Sequence, residues 1–246
     1  MMRNVTAFVL SITFGSVLQA TVINTNDPGV VAAFQSGATV VNFESISGRT
    51  AQSITSYTSG NAISPSAFIF DQISGVQFSV GGAVGTNEPA LYSLSGGIAG
   101  DAHSPTTVLG PVNFDFTSKF DAGSMIEIFF PTKVSKVGFW LNPSRGNVEL
   151  IAADTNFAFS HETETTLETA ASVTAGNFVG IERPTADIGG FKIIGLGATG
   201  FTVDDFTFGG ASASTAVPEP AVLGLFAFGL VILAALVRRL VPSTDR

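Results

Sequence analysis

Short apolar stretches rich in β-branched and aromatic residues recur along most of the chain, punctuated by Gly, Pro, Asn and Ser. This rhythm predicts strands over residues 39–43, 67–70, 76–80, 112–116, 125–130, 134–141, 148–152, 178–182, 191–194 and 201–208. Within 125–130, Ile126, Ile128 and Phe130 share one face and Glu127 lies opposite, the alternation of a half-buried strand. One segment between the chain's two ends reads as a helix. Asp27 can cap it, Pro28 suits its first turn, Val30, Val31 and Phe34 fall on one side, and it should end near Gly37. Many strands and one short helix favour an all-β fold over alternating β and α units, and a two-sheet, jelly-roll-like β-sandwich is expected over residues 21–210.

The rhythm breaks in two places: residues 45–64 are rich in Ser and Thr, and residues 81–110 are rich in Gly, with Tyr92 and His103 scattered among them. Long loops are either solvated connections or binding surfaces, and both readings stand for these two. No internal repeat is evident.

Continuous hydrophobic runs occupy the two ends. Arg3 precedes an apolar run from Val5 to Leu18, and Ala20 offers a small residue before a cut, the layout of a secretory signal peptide over residues 1–20. At the other end a small-residue linker, 211–217, leads into Pro218-Glu219-Pro220, an apolar run over about 221–237, and Arg238-Arg239. That run is long enough for a single transmembrane helix. Arginines beyond it predict a cytoplasmic end, residues 242–246, with the β domain outside.

Composition narrows the classes. The chain has 19 Asp and Glu against 11 Lys and Arg, a net charge of −8, so general electrostatics repel nucleic acid. There is no cysteine, although an exported protein meets conditions in which disulfides persist. Stability must therefore come from an apolar core, and 22 phenylalanines beside one Trp and two Tyr indicate what fills it.

The ordered set Val217-Pro218-Glu219-Pro220, a hydrophobic stretch containing Gly224 and Gly229, and Arg238-Arg239 resembles the PEP-CTERM sorting domain, here spanning residues 218–241. That resemblance implies export, and handling of the tail by an exosortase together with the secretion machinery. It also implies a final place at the cell surface or in the extracellular matrix of a Gram-negative bacterium that makes exopolysaccharide or biofilm. Pro218, Glu219, Pro220, Arg238 and Arg239 would then be sorting-signal residues and not catalytic ones. Seven residues follow the arginine pair where that family often stops almost at once. Four further segments, Val41-Asn42-Phe43-Glu44, Val137-Gly138-Phe139-Trp140, Asn177-Phe178-Val179-Gly180-Ile181 and Val203-Asp204-Asp205-Phe206, resemble an ectodomain type that recurs among such proteins. No activity comes with that likeness.

Few residue sets suggest chemistry. Glu44, Asp204 and Asp205 are a candidate structural calcium set, since carboxylate oxygens suit that ion. Adjacent strand residues point to opposite faces, so both aspartates can reach one ion only at a bulge or a strand end. The competing reading has one Asp accept backbone hydrogen bonds while the other caps a turn or meets solvent. Gly195-Leu196-Gly197-Ala198-Thr199-Gly200 fits G-x-G-x-x-G but precedes a strand, which points to a hairpin turn and away from a dinucleotide site. His161-Glu162-Thr163-Glu164 lacks a second nearby histidine for zinc. Trp140 and Tyr92 would stack on sugar rings if exposed, although an apolar strand around Trp140 points to the core.

No catalytic residue can be assigned, and the chain reads as a non-enzymatic structural or glycan-binding β-sandwich with extracellular polysaccharide as a candidate partner. The alternative is a surface-anchored hydrolase acting on extracellular polysaccharide through a pair of acids.

Overall fold

A computed structural model describes residues 20–79, 88–142, 147–154, 167–173 and 176–210. The chain divides into two compact units, Met1–Ala211 and Ser212–Arg246, and every described residue belongs to the first. The expected signal peptide up to residue 19, the expected linker and sorting tail with its apolar run, the expected cytoplasmic end, and His161-Glu164 lie outside the described residues. Among the described residues no helix is long and apolar enough to cross a membrane.

The architecture is two β-sheets with little helix, as the apolar rhythm predicted. In chain order the elements are β1 (Thr21–Thr25), α1 (Pro28–Gln35), β2 (Ala38–Val41), β3 (Gln52–Ile54), β4 (Gln77–Ser79), β5 (Ala90–Leu94), β6 (Thr107–Gly110), β7 (Met125–Val134), β8 (Lys136–Leu141), β9 (Val148–Ala153), β10 (Leu167–Val173), β11 (Phe178–Glu182), β12 (Ile188–Gly195) and β13 (Val203–Gly209). One sheet has the order β1-β11-β8-β13-β6-β5-β3, with β2 also paired to β13. The second sheet has the order β10-β9-β12-β7-β4.

Alternation along the strands builds the core between the sheets. From the first sheet come Val137, Phe139, Leu141, Val179, Ile181, Val203, Phe206 and Phe208, and from the second Ile126, Ile128, Phe130, Leu150, Phe191 and Ile193. Rings meet edge-on where the sheets face, as in Phe78 against Phe206 at 5.3 Å and Phe139 against Phe191 at 6.5 Å. Edge-on pairs add about 0.5–1.5 kcal/mol each beyond the area they bury.

The other face of the first sheet is covered twice. Asp27 caps α1 by accepting the Gly29 amide at 2.8 Å, and the helix lays Val31 and Phe34 against Phe178. Val30, expected on that side, is 43% exposed because eight residues of helix present a face narrower than three apolar positions. Elsewhere on this face a smaller cluster forms, with Tyr92, Leu94 and Val108 from β5 and β6 packed against Ile63, Ala67, Val112 and Phe120.

Both long loops therefore contain structure. Residues 45–64 hold β3, which adds to β5 in parallel, and residues 81–110 hold β5 and β6. Three expectations change in detail. Pro65 starts a 3-10 turn where a strand was expected over 67–70, leaving Phe68 a lone bridge to Ala90. Residues 112–118 fold back on themselves, with the Asn113 amide donating to the Thr117 carbonyl, because Asn113 and Asp115 favour a turn over a strand. The Gly195–Gly200 stretch is no hairpin turn, since β12 and β13 belong to different sheets and the glycines carry the chain across the sandwich. A tight crossing explains the composition: Gly200 has φ +59, and a Cβ there would lie 2.7 Å from the Phe120 backbone.

Candidate functional site at the bulge in β13

β13 changes partners partway along one edge. Val203 pairs with Leu109 of β6, whereas Phe206 to Gly209 pair with β2. Between them the register against β8 shifts, and Asp205 adopts the left-handed conformation with φ 45. Asp tolerates that region better than most residues, and a bulge turns a side chain away from strict alternation. The sequence-level requirement for both aspartates to act together, a bulge, is thus met.

Two chain segments enter the gap where β13 changes partners. One leaves β2 through Asn42, Phe43 and Glu44, with Phe43 left-handed at φ 62. That turn sends the Phe43 ring into the core against Phe78 while the Glu44 amide donates to Asn42 Oδ1 at 3.3 Å. The other segment, His103 to Thr106, leads into β6.

Carboxylates fasten the two segments to the bulge. Asp204 is 2% exposed and accepts the Ser104 amide at 2.6 Å, the Ser104 hydroxyl at 2.7 Å and the Asp205 amide at 2.7 Å. Glu44 Oε1 accepts the amides of Thr106 and Thr107 at 2.8 and 2.7 Å, and Glu44 Oε2 accepts the Thr107 hydroxyl at 3.2 Å. Asp205 Oδ2 lies 2.6 Å from His103 Nδ1. Burial pushes the Asp204 carboxyl above the ordinary carboxylate range; the adjacent Asp205 charge adds to that, and the Ser104 hydroxyl and amide oppose it.

The three acids singled out from sequence thus converge on residues 103–107. Their oxygens face N–H and O–H donors, and among the described residues no three His, Asp or Glu side chains are grouped to hold a metal ion. Asp204 already has three donors, which gives it the hydrogen-bonding role of the competing reading and makes the set a poor fit for calcium.

Trp140 sits opposite Asp204 across the β8–β13 pair, on the outward face of the sheet. It is half-buried and lies in no core between the sheets. The His103 ring covers it, with centroids 4.0 Å apart and planes 8° from parallel, and Phe178 meets it edge-on at 5.8 Å. Tyr92, the other aromatic considered for sugar stacking, is fully buried, and its hydroxyl donates to the Pro111 carbonyl at 3.3 Å. Its phenol is pushed up by burial, and it meets no ligand from outside.

Depressions flank the bulge on both sides. An open groove of about 560 Å³ is lined by Gln35, Asn42, Ser45, Ser47, Gln72 and Asp205, with Val40, Val41, Ile46 and Ile73 among them. A smaller cleft of about 140 Å³ lies beside Trp140, His103, Asp101, Asn142 and Asp204.

No family model and no curated protein matches the chain. A solved structure of TmCBM61 in complex with β-1,4-galactotriose aligns with 55% of this chain and 88% of its own, at 14% identity and a TM-score of 0.25. A superposition that loose carries no argument about this chain.

The four segments whose resemblance was noted in the sequence prove to be neighbours. Residues 177–181 pair with 137–141, which pair with β13, which pairs with β2. Sequence reasoning found the acids of this site and missed their partners. Ser104 carries no local signal, because only the sheet order brings it to Asp204, and the same holds for Gln35 and Gln72, which line the groove with Asp205.

Proposed function

We propose that this is an exported surface or matrix protein, sorted through its PEP-CTERM-like tail, whose jelly-roll-type β-sandwich binds extracellular glycan without catalysing a reaction on it. The observation that carries the binding part is the groove beside the β13 bulge. Amides from Gln35, Asn42 and Gln72, hydroxyls from Ser45 and Ser47, and the Asp205 carboxylate line it together with Val40, Val41, Ile46 and Ile73. Sugars ask for that mixture, since their hydroxyls both donate and accept while their C–H faces are apolar. Gln35 stands on α1, Val40 and Val41 on β2 and Asp205 on β13, while the other lining residues belong to the connections at 42–47 and 72–73.

The hydrolase alternative has less behind it. Residues 45–64 contain no Asp or Glu, residues 81–110 contain only Glu88 and Asp101, and the acids that do converge are engaged with residues 103–107. Two measurements test the proposal. On a glycan array the protein should bind neutral polysaccharides, and Gln72→Ala together with Asn42→Ala should weaken that binding at least about tenfold, the effect of losing about 1.4 kcal/mol. Intact mass of the mature protein should show the residues after Pro218 lost only in cells that have an exosortase. A C-terminus still at Arg246 in both strains would remove the sorting claim, and silence across the array would remove the binding claim.

A further inference from the structure

We infer that the outward face of Trp140 is a stacking platform for one pyranose ring of an uncharged glycan, and that His103 occupies this platform when no glycan is bound. The inference rests on the glycan-binding reading and assigns it a second contact, across the bulge from the groove.

The geometry of the pair is the starting point. Aromatic rings left to themselves favour offset or edge-on contact. His103 lies nearly parallel to the indole with centroids 4.0 Å apart, stacked on its face. That is where a flat ligand would sit. A pyranose offers a face of C–H bonds, slightly positive, which the negative face of an indole attracts.

The cap is built to be displaced. The His103 side chain is 48% exposed, so its far side meets solvent and no core packing holds it down. Its polar hold is the Asp205 carboxylate, which is 16% exposed. Residues 101–106 form no regular element, whereas Trp140 is fixed within β8 between β11 and β13. Movement of His103 therefore leaves the platform in place.

The surroundings select the ligand. Among the described residues, Asp101, Asn142 and Asp204 line the cleft beside the indole, and no Lys or Arg does. Sugar hydroxyls can donate to such carboxylates, while a uronate or sulfated sugar would be repelled. A cleft of about 140 Å³ lies beside the platform with His103 in place.

Trp140 is the only tryptophan in the chain, so intrinsic fluorescence reports on this contact alone. Full-length protein in detergent micelles is titrated with cellotetraose, mannotetraose and galactotetraose, with oligogalacturonate as the anionic control. At least one neutral tetraose should change the emission of the wild type, and the control should not. His103→Ala, and His103→Asn, which keeps a hydrogen-bonding group but no ring, should tighten that binding by about fivefold or more, because a self-occupied site loses affinity in proportion to its occupancy. Trp140→Leu should lose the contact, read as a drop in affinity by calorimetry. Equal affinity in wild type, both His103 variants and Trp140→Leu would overturn the platform while leaving glycan binding in the groove intact. Weaker binding by the His103 variants would make the ring a ligand contact and overturn the cap. Absence of binding in every protein would overturn both this inference and the glycan reading.

Discussion

The outward face of the first sheet is covered by apolar contact on one side, over β11 and β8, and by hydrogen bonds on the other, over the bulge in β13. Under α1, Phe34 and Phe178 meet edge-on at 5.2 Å above Gly138 and Gly180. A Cβ on Gly180 would lie 2.7 Å from the Val137 carbonyl oxygen, and one on Gly138 would lie 2.8 Å from the Phe178 ring. That end is closed, and nothing enters it. At the bulge, Asp204, Asp205 and Glu44 hold residues 103–107 through directional bonds, and depressions remain on both sides. Apolar packing is non-directional and fills space, whereas hydrogen bonds fix a segment without filling what lies beside it. The same sheet can therefore carry a sealed end and an open one.

The largest expected effect belongs to the sealed end. Phe178→Ala should lower stability by about 3–5 kcal/mol in urea denaturation, since it empties a fully buried site under α1. A loss under about 1 kcal/mol would mean that α1 can collapse onto the sheet without it. Gly180→Ala should follow at about 1–3 kcal/mol, because the carbonyl in its way belongs to backbone and has little room to yield.

At the bulge, Asp204→Asn should cost about 1–3 kcal/mol, by setting an N–H group against the Ser104 or Asp205 donors. The same variant has a pH signature. A carboxyl whose folded pKa is raised keeps its proton in the native state after the unfolded chain has released it. Above the ordinary value of 3.8 the native state therefore binds more protons, and Asp204 makes stability fall as pH rises through that window. Urea midpoints measured across this window should show that downward contribution in the wild type and lack it in Asp204→Asn. An identical pH slope in both proteins would remove the buried-carboxyl account.

Glu44→Gln should cost about 1 kcal/mol and should show first as faster amide exchange at Thr106 and Thr107, with exchange in β8 and β11 unchanged. Uniform acceleration would mean that the segment opens only with the whole domain. Val30→Ala, on the exposed side of α1, should change stability by no more than about 0.5 kcal/mol, which checks that Val31 and Phe34 carry the apolar contact of α1.

Local pattern was enough to read much of this molecule. Residues 178–182 were placed as a strand to the residue, and Asp27 and Pro28 marked the start of α1, because alternation and capping are properties of neighbours in sequence. The strands β5 and β6 were missed inside a Gly-rich stretch, since glycine weakens the pattern that burial later enforces. Asp204 and Asp205 stood out as a pair, yet nothing local told that β13 would change partners between them.

By itself, then, the order of residues determined that the chain is all-β and held by phenylalanine and not by disulfides. Tertiary structure alone decided that Glu44, His103, Trp140 and Asp204 would meet. Their contacts span up to 102 residues of chain, as in His103 with Asp205. Contacts of that kind depend on which strands lie side by side, and strand order is an outcome of burying two sheets against each other, which no short window of sequence contains.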